Sequence, residues 1–162
     1  MKYFYILLIS IACLTLTGCG GGGGGDNGIV LTPQQQEFAD VVYAFAAAVN
    51  NKDKTSAMSL VSTDIIYNNQ CDYAEFESRL SDFLDNVDNV NFQINGLGVR
   101  FLDEDIDAEI RADAVISYNK NNTEKTIPET LEIYVKKYGS KCGIRLFQKY
   151  HNEASAFPPV LE

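Results

Sequence analysis

The chain has 162 residues, is 46% hydrophobic and 22% charged, and so has an ordinary globular balance that excludes whole-chain disorder, a collagen and a many-span membrane protein. Its length suits one domain closing one core. With 13 Lys+Arg against 22 Asp+Glu and a formal net charge of −9, it lacks the basic surplus by which proteins neutralise nucleic-acid phosphates.

Met1-Lys2-Tyr3 is a short basic start, and Phe4 to Leu16 is an almost unbroken apolar run. A membrane-spanning helix needs about 20 such residues, so the run fits the hydrophobic region of an export signal instead. It ends in Leu16-Thr17-Gly18-Cys19, which resembles the lipobox of bacterial lipoproteins. The resemblance implies a diacylglycerol thioether on Cys19, cleavage between Gly18 and Cys19, and acylation of the new amino group. Two or more acyl chains, at about 0.8 kcal/mol per buried CH₂, make release from a bilayer negligible. Residue 20 is Gly and not Asp, which by the same resemblance implies the periplasmic leaflet of the outer membrane, or the outer cell surface where there is a single membrane.

Gly20 to Gly25, followed by Asp26-Asn27-Gly28, reads as a flexible tether. A glycine-rich phosphate cradle would need a strand before it and Lys-Ser/Thr after it, and neither is present. The expected organisation is a signal peptide over 1–18, a lipidated cysteine and tether over 19–28, and a domain over 29–162. Processing removes Lys2, leaving the remainder more acidic; it is repelled by an anionic membrane surface and faces other partners.

Within the domain, Thr32-Pro33-Gln34-Gln35 has the pattern of a capping box with proline at the first helical position. Phe38, Val41, Val42, Phe45, Ala48 and Val49 then recur at helical spacing. A shorter helix is predicted from Lys54 to Val61 behind Asp53. Asp64 to Tyr67 reads as a short strand. Asp72 then caps a third helix carrying Phe76, Leu80, Phe83, Leu84 and Val87 inward. From Val90 the period changes to 2. Val90, Phe92 and Ile94 give way after Asn95-Gly96 to Leu97, Val99 and Phe101, a parity shift that predicts a bulge or bend. The next strand should point Ile106, Ala108, Ile110, Ala112, Ala114, Ile116 and Tyr118 inward. Asn121-Asn122 marks a turn into a strand with Leu131, Ile133 and Val135 inside. A last strand follows Gly139, with Cys142, Ile144, Leu146, Gln148 and Tyr150 inside.

Three helices followed by long antiparallel strands predict an α+β fold, the helices packed on a strongly bent sheet of about four strands. The Phe38–Val49 helix, the Asp72–Val87 helix and the hairpin Glu132-Ile133-Tyr134-Val135-Lys136-Lys137-Tyr138-Gly139 to Gly143-Ile144-Arg145-Leu146 resemble the nuclear-transport-factor-2-like (NTF2-like), or cystatin-like, superfamily, which includes SnoaL-like proteins. The resemblance covers about 33–151. It implies a cone between sheet and helices in which some members hold a His–Asp pair or Tyr and Asp, none carried by a matching motif here.

Candidate chemistry is sparse. Cys71 and Cys142 remain after Cys13 is cleaved away and Cys19 lipidated, and an oxidising compartment favours a bridge between them over two buried thiols. Asp103, Asp105, Asp107 and Glu109 lack the glycine and glutamate of a calcium loop and read as a wet strand face. His151 is the only imidazole, without metal-ligand companions. No metal or other cofactor is expected. Ala108 and Ala112 opposite Ala46 to Ala48 leave room for a pocket lined by Tyr43, Tyr67 and Tyr118, or for close packing without a void. Three functions follow. The first is a non-catalytic, membrane-anchored domain binding a small apolar ligand or an envelope protein, a homodimer being open. The second is an isomerase, dehydratase or cyclase using Asp64, Tyr67 or Tyr118 as general acid or base. The third is a purely structural role.

Overall fold

The computed structural model describes residues 30–67, 70–103, 106–149, 152–155 and 157–159. The export signal, Cys19, the glycine tether and His151 lie outside them.

Helix α1 (Pro33–Asn50) begins where its sequence directs it. Gln35 N donates to Thr32 Oγ1 at 3.2 Å and Thr32 N donates to Gln35 Oε1 at 2.9 Å, behind Pro33. Pro33 has no amide hydrogen, so two of the three orphan donors of this helix start are thereby satisfied. Helix α2 (Lys54–Ser59) starts at the Asp53 cap but stops before the expected Val61, which already opens strand β1 (Val61–Tyr67). After the two-residue β2 (Gln70–Cys71), α3 (Tyr73–Asn86) follows its Asp72 cap, whose Oδ1 accepts from Glu75 N at 2.7 Å.

The sheet is larger than expected and mixed. Strands β3 (Asp88–Asp103), β4 (Asp107–Lys120), β5 (Thr123–Tyr138) and β6 (Lys141–Lys149) form the antiparallel meander. The order across the sheet is β2-β1-β6-β5-β4-β3, and β7 (Asn152–Ser155) also pairs with β6. The sheet is not purely antiparallel, because β1 runs parallel to β6. Gly143 permits that approach: a Cβ there would stand 3.3 Å from Ser62 Cβ. A parallel neighbour distant in sequence leaves no local period to read, which is why about four strands were expected.

Two bulges aim the side chains. The β3–β4 register skips between Ile94 and Gly96, so the parity shift expected from the sequence is a real kink at Asn95. A second skip, in β6, pairs Val135 with Ile144 and Tyr134 with Leu146, leaving Arg145 over. That extra residue turns Phe147 into the core at 2% exposure, in place of the expected Leu146 and Gln148. Ile106, also expected inside, is 45% exposed in the β3–β4 turn. Asn121 and Asn122 take φ of 53° and 61°, the left-handed pair that a two-residue hairpin requires. Helix α1 seals the β3 edge: Asn50 Nδ2 donates to Phe92 O at 3.1 Å while its Oδ1 accepts from Phe92 N, and Gln35 Nε2 donates to Val99 O at 3.0 Å. These side chains occupy groups that would otherwise pair with another strand.

The expected Cys71–Cys142 bridge is not formed, and the thiol of Cys142 is free. Cys71 faces Ile66 in β1, which in turn faces Leu146 in β6. Cys142 therefore lies two strands across and four residues back, roughly 16 Å at ordinary sheet spacings. A disulfide needs Cα atoms within about 7 Å. Burial, and then Glu37, pushes the Cys142 thiol up, with Lys137 opposing. A maleimide should therefore label Cys142 slowly in the native protein at neutral pH and fully in unreduced, denatured protein, as read by peptide mass. Failure to label after unreduced denaturation would restore the bridge.

Candidate functional site

The faces of α1 and α3 that turn toward the sheet carry the largest side chains of the domain. Phe45 of α1, Phe76 and Phe83 of α3, Phe92 of β3 and Phe147 of β6 are each at most 2% exposed, and Phe157, beyond β7, joins them at 0%. Their rings form one connected cluster. Phe45 meets Phe147 at 4.9 Å and Phe76 at 6.5 Å, while Phe76 stacks on Phe147 at 6.1 Å with 3° between planes. Phe157 stands edge-on to Phe45 at 5.6 Å and Phe83 at 5.9 Å, and lies over Phe92 at 5.2 Å with 22° between planes. Offset and edge-to-face pairs of this kind add about 0.5–1.5 kcal/mol each beyond the area they bury.

The sequence left open whether small residues on β4 make a pocket or a tight seam. Ala108 and Ala112 are fully buried in the continuous core. Tyr118 is 5% exposed with its ring edge-on to Phe83 at 5.2 Å. Tyr43 is not beside them. It is 43% exposed and flanks an open groove of about 480 Å³ between α1 and β3, with Ala46, Ala47, Asn50 and Ile94. Tyr67 lies at the end of β1, and its side chain is outside the described residues. Among the described side chains of the five pocket candidates, Tyr43 stands apart from Ala108, Ala112 and Tyr118. Phe147 and Phe157, which the sequence reading passed over, fill the interior instead.

Asp64 and Tyr118 are separated in the same way. Ile65 faces the core and Asp64 the opposite side of the sheet, where its partner Tyr138 closes β5. Tyr118 faces inward and pairs with Lys125 at the other end of β5, roughly 40 Å away along the strand at 3.3 Å per residue. They cannot serve one reacting centre.

Around Asp64 is a compact polar cluster. Tyr138 OH donates to Asp64 Oδ1 at 2.6 Å, Ser62 Oγ donates to the same oxygen, and the Ser62 and Tyr138 hydroxyls are 3.0 Å apart. Arg145 Nε stands 3.1 Å from Asp64 Oδ2 as an ion pair whose angle misses a hydrogen bond. Burial pushes the Asp64 carboxyl up, but the two hydroxyls and the Arg145 charge outweigh it and hold the group below the usual carboxylate range. Burial and the bond to Asp64 push the Tyr138 phenol up. Neither group is poised to exchange a proton near neutral pH, and the cluster ties β1 to the β5–β6 hairpin. Because the folded Asp64 titrates below its unfolded value, its contribution is present above about pH 4 and lost as pH falls through the folded value. Asp64→Asn should cost about 1 kcal/mol at pH 7, a modest figure because the carboxylate is 42% exposed. Urea unfolding at pH 7 and pH 2.5 checks this: the difference from the unaltered chain should vanish at the lower pH.

The acidic row of β4 is not uniformly wet. Asp105 is outside the described residues, but Glu109 is only 7% exposed and is paired with the Arg100 guanidinium across the strand pair. Burying its carboxylate against a guanidinium removes it from the solvated face the sequence implied. Among the described residues no group of three His, Cys, Asp or Glu is placed to hold a metal ion. No described helix is long and apolar enough to cross a membrane.

Neither a family model nor a curated protein sequence matches the chain. Solved structures do match its fold. A proposed aromatic ring hydroxylase from Novosphingobium aromaticivorans aligns with a TM-score of 0.65 and 13% identity over 77% of this chain and 90% of its own. A proposed dehydratase of the NTF2-like family from Streptomyces avermitilis aligns with a TM-score of 0.56 and 9% identity, over 70% and 92% of the two chains. A proposed calcium/calmodulin-dependent protein kinase II association domain from Xanthomonas campestris gives 0.61 and 19%, over 81% and 95%. The three helices and bent sheet thus have the NTF2-like fold, an architecture that hosts unrelated activities.

Proposed function

We propose that this chain is a lipid-anchored protein of the bacterial cell envelope whose domain binds a small apolar ligand or an envelope protein and catalyses nothing. The observation that carries the binding reading is the interior: phenylalanine rings occupy the space where α1 and α3 face the sheet. Acid–base catalysis needs a titratable group at the reacting atoms with a pKa near the working pH. Rings that already fill the interior offer no such group there, which supports a domain that works by binding. Leu16-Thr17-Gly18-Cys19 and the glycine run behind it support an acylated Cys19 holding the domain just off a membrane. Gly20 favours the periplasmic face of the outer membrane, or the extracellular face in a cell with one membrane. The association-domain name of the Xanthomonas protein lends support to a protein partner, a second copy of the chain included.

Native mass spectrometry of the lipidated protein, extracted from envelopes in mild detergent, tests the binding reading. It should find a non-covalent apolar adduct or a stoichiometric complex with another envelope protein. A chain that emerges with neither defeats it.

The names of the Novosphingobium and Streptomyces proteins favour a second reading, an enzyme of the isomerase, dehydratase or cyclase kind. Such an enzyme, with Asp64 as its base, would lose turnover in Asp64→Asn while keeping its stability. That is the reverse of the loss of stability expected above.

A further inference from the structure

Arg145 is the residue that β6 has to spare. Val135 pairs with Ile144 and Tyr134 with Leu146, and Arg145 falls between them. A bulge of this kind interrupts the ladder and re-aims a side chain. Here it brings the guanidinium to the outer face of the sheet, beside Asp64. The two do not form the parallel pair of N–H bonds by which a guanidinium normally grips a carboxylate. Asp64 Oδ1 is taken by the Ser62 and Tyr138 hydroxyls, and Oδ2 stands 3.1 Å from Arg145 Nε at an angle that makes no bond. Asp64 thus offsets the charge and leaves the fork of terminal nitrogens unspent on it. Nε is buried without a hydrogen-bond partner among the described residues, while the side chain stays 30% exposed. A donor orphaned in this way calls for a role or an occupant. Lys136 Nζ, 5.7 Å over the Tyr138 ring, brings a second cation to the corner; its cross-strand neighbour Asp107 lies on the β4 side, away from Arg145.

Beside the fork runs an apolar stripe. Ile66 pairs with Leu146, and Leu146 with Tyr134. Side chains of β1, β6 and β5 therefore stand abreast on the outer face, over roughly 10 Å at ordinary strand spacing. Their neighbours Ile65, Phe147 and Val135 point the other way, into the core. Ile66 is 38% exposed, and Leu146 and Tyr134 are half-buried. The acids flanking the stripe have partners of their own: Glu109 is paired with Arg100, and Glu132 accepts from Gln148 at 2.6 Å.

We propose that this corner of the outer sheet face binds a monocarboxylate with an extended apolar body: the Arg145 fork takes the carboxylate, and the Ile66–Leu146–Tyr134 stripe takes the chain. The proposal rests on the binding reading above and gives its small apolar ligand a charged head. A guanidinium meets a carboxylate with two donors in one plane, a match that an ammonium or a hydroxyl lacks. A chain of about eight carbons covers the width of the stripe, and each methylene laid on it takes apolar area out of water. An uncharged ligand of the same length gains only the second of these contacts.

Octanoate is the probe and 1-octanol its uncharged counterpart, each titrated at neutral pH into the full-length chain and followed by NMR chemical shifts. Octanoate should bind roughly tenfold more tightly than 1-octanol or better, the reverse of their order on a purely apolar surface. It should also bind roughly fivefold more tightly than butanoate, whose chain leaves most of the stripe bare. The shifts should centre on the amides of Ile66, Arg145 and Leu146. Arg145→Gln should lose roughly tenfold in affinity for octanoate and nothing for 1-octanol. Octanoate that binds no more tightly than 1-octanol, or shifts centred elsewhere, overturn the site, and these readings decide alone if Arg145→Gln does not fold. A folded Arg145→Gln chain that keeps its octanoate affinity overturns the role of the fork. Each of these failures leaves the mass spectrum of the envelope-extracted protein as it was, where another adduct or a protein partner still registers, so the binding reading stands or falls separately.

Discussion

Phe45→Ala is expected to lower the unfolding free energy by about 3–5 kcal/mol, the range for deleting a buried phenyl ring without collapse of the space it leaves. Phe45 is fully buried and meets Phe76 of α3, Phe147 of β6 and Phe157 beyond β7, at 4.9 to 6.5 Å. Its removal takes away three ring pairs together with the apolar area, and rigid strands on one side limit relaxation. A domain of this kind has about 5–15 kcal/mol in total, so about a fifth or more of its stability rests on that one ring. Denaturant titration should show the midpoint fall with its slope unchanged. Tyr43→Ala, on the same helix but 43% exposed, should stay within about 0.5 kcal/mol and marks the surface baseline. A loss at Phe45 no larger than at Tyr43 would mean that the rings do not pack as a core.

What could be read from the chain was local. Thr32, Asp53 and Asp72 each announce a helix start because a short polar side chain reaches an orphan amide a few residues on, and all three do so. Asn121-Asn122 announces a turn because few residues tolerate those backbone conformations, and the parity shift across Asn95-Gly96 announces a kink. What could not be read was long-range. The β1–β6 parallel pairing depends on Gly143 meeting Ser62, residues far apart in the chain. The bulge at Arg145 has no glycine or asparagine in it, and so plain alternation puts Leu146 inside where Phe147 stands. Phe157 lies past the last periodic stretch, where alternation says nothing. Its only signal was a large aromatic residue standing before Pro158-Pro159. Residue type alone points to Asp64 and Tyr118, and type carries no information about which face or which end of a sheet a side chain occupies. The interior itself was legible as a choice between a cavity and a seam. Rings from elsewhere in the chain pack into it.

Cys19→Ser should abolish the membrane-held, processed form of the protein. A hydroxyl cannot form the thioether that precedes cleavage at a lipobox, so the variant should carry residues 1–18 intact or appear in the soluble fraction. The unaltered chain should begin at Cys19 with acyl mass added. The size of the effect follows from the absence of any competing attachment in the charge balance. The formal charge of −9 opposes adsorption to anionic headgroups. Each acyl chain contributes about 0.8 kcal/mol per methylene buried, so two or three chains decide the partition almost alone. Whole-protein mass spectrometry of membrane and soluble fractions reads both parts of the expectation at once. Salt washing separates lipid insertion from ionic adhesion, since screening releases only the latter. A Cys19→Ser protein that is still trimmed after Gly18 and still sediments with membranes through a salt wash would show another element to be the anchor, and the exposed surface of the domain would become the place to look for it.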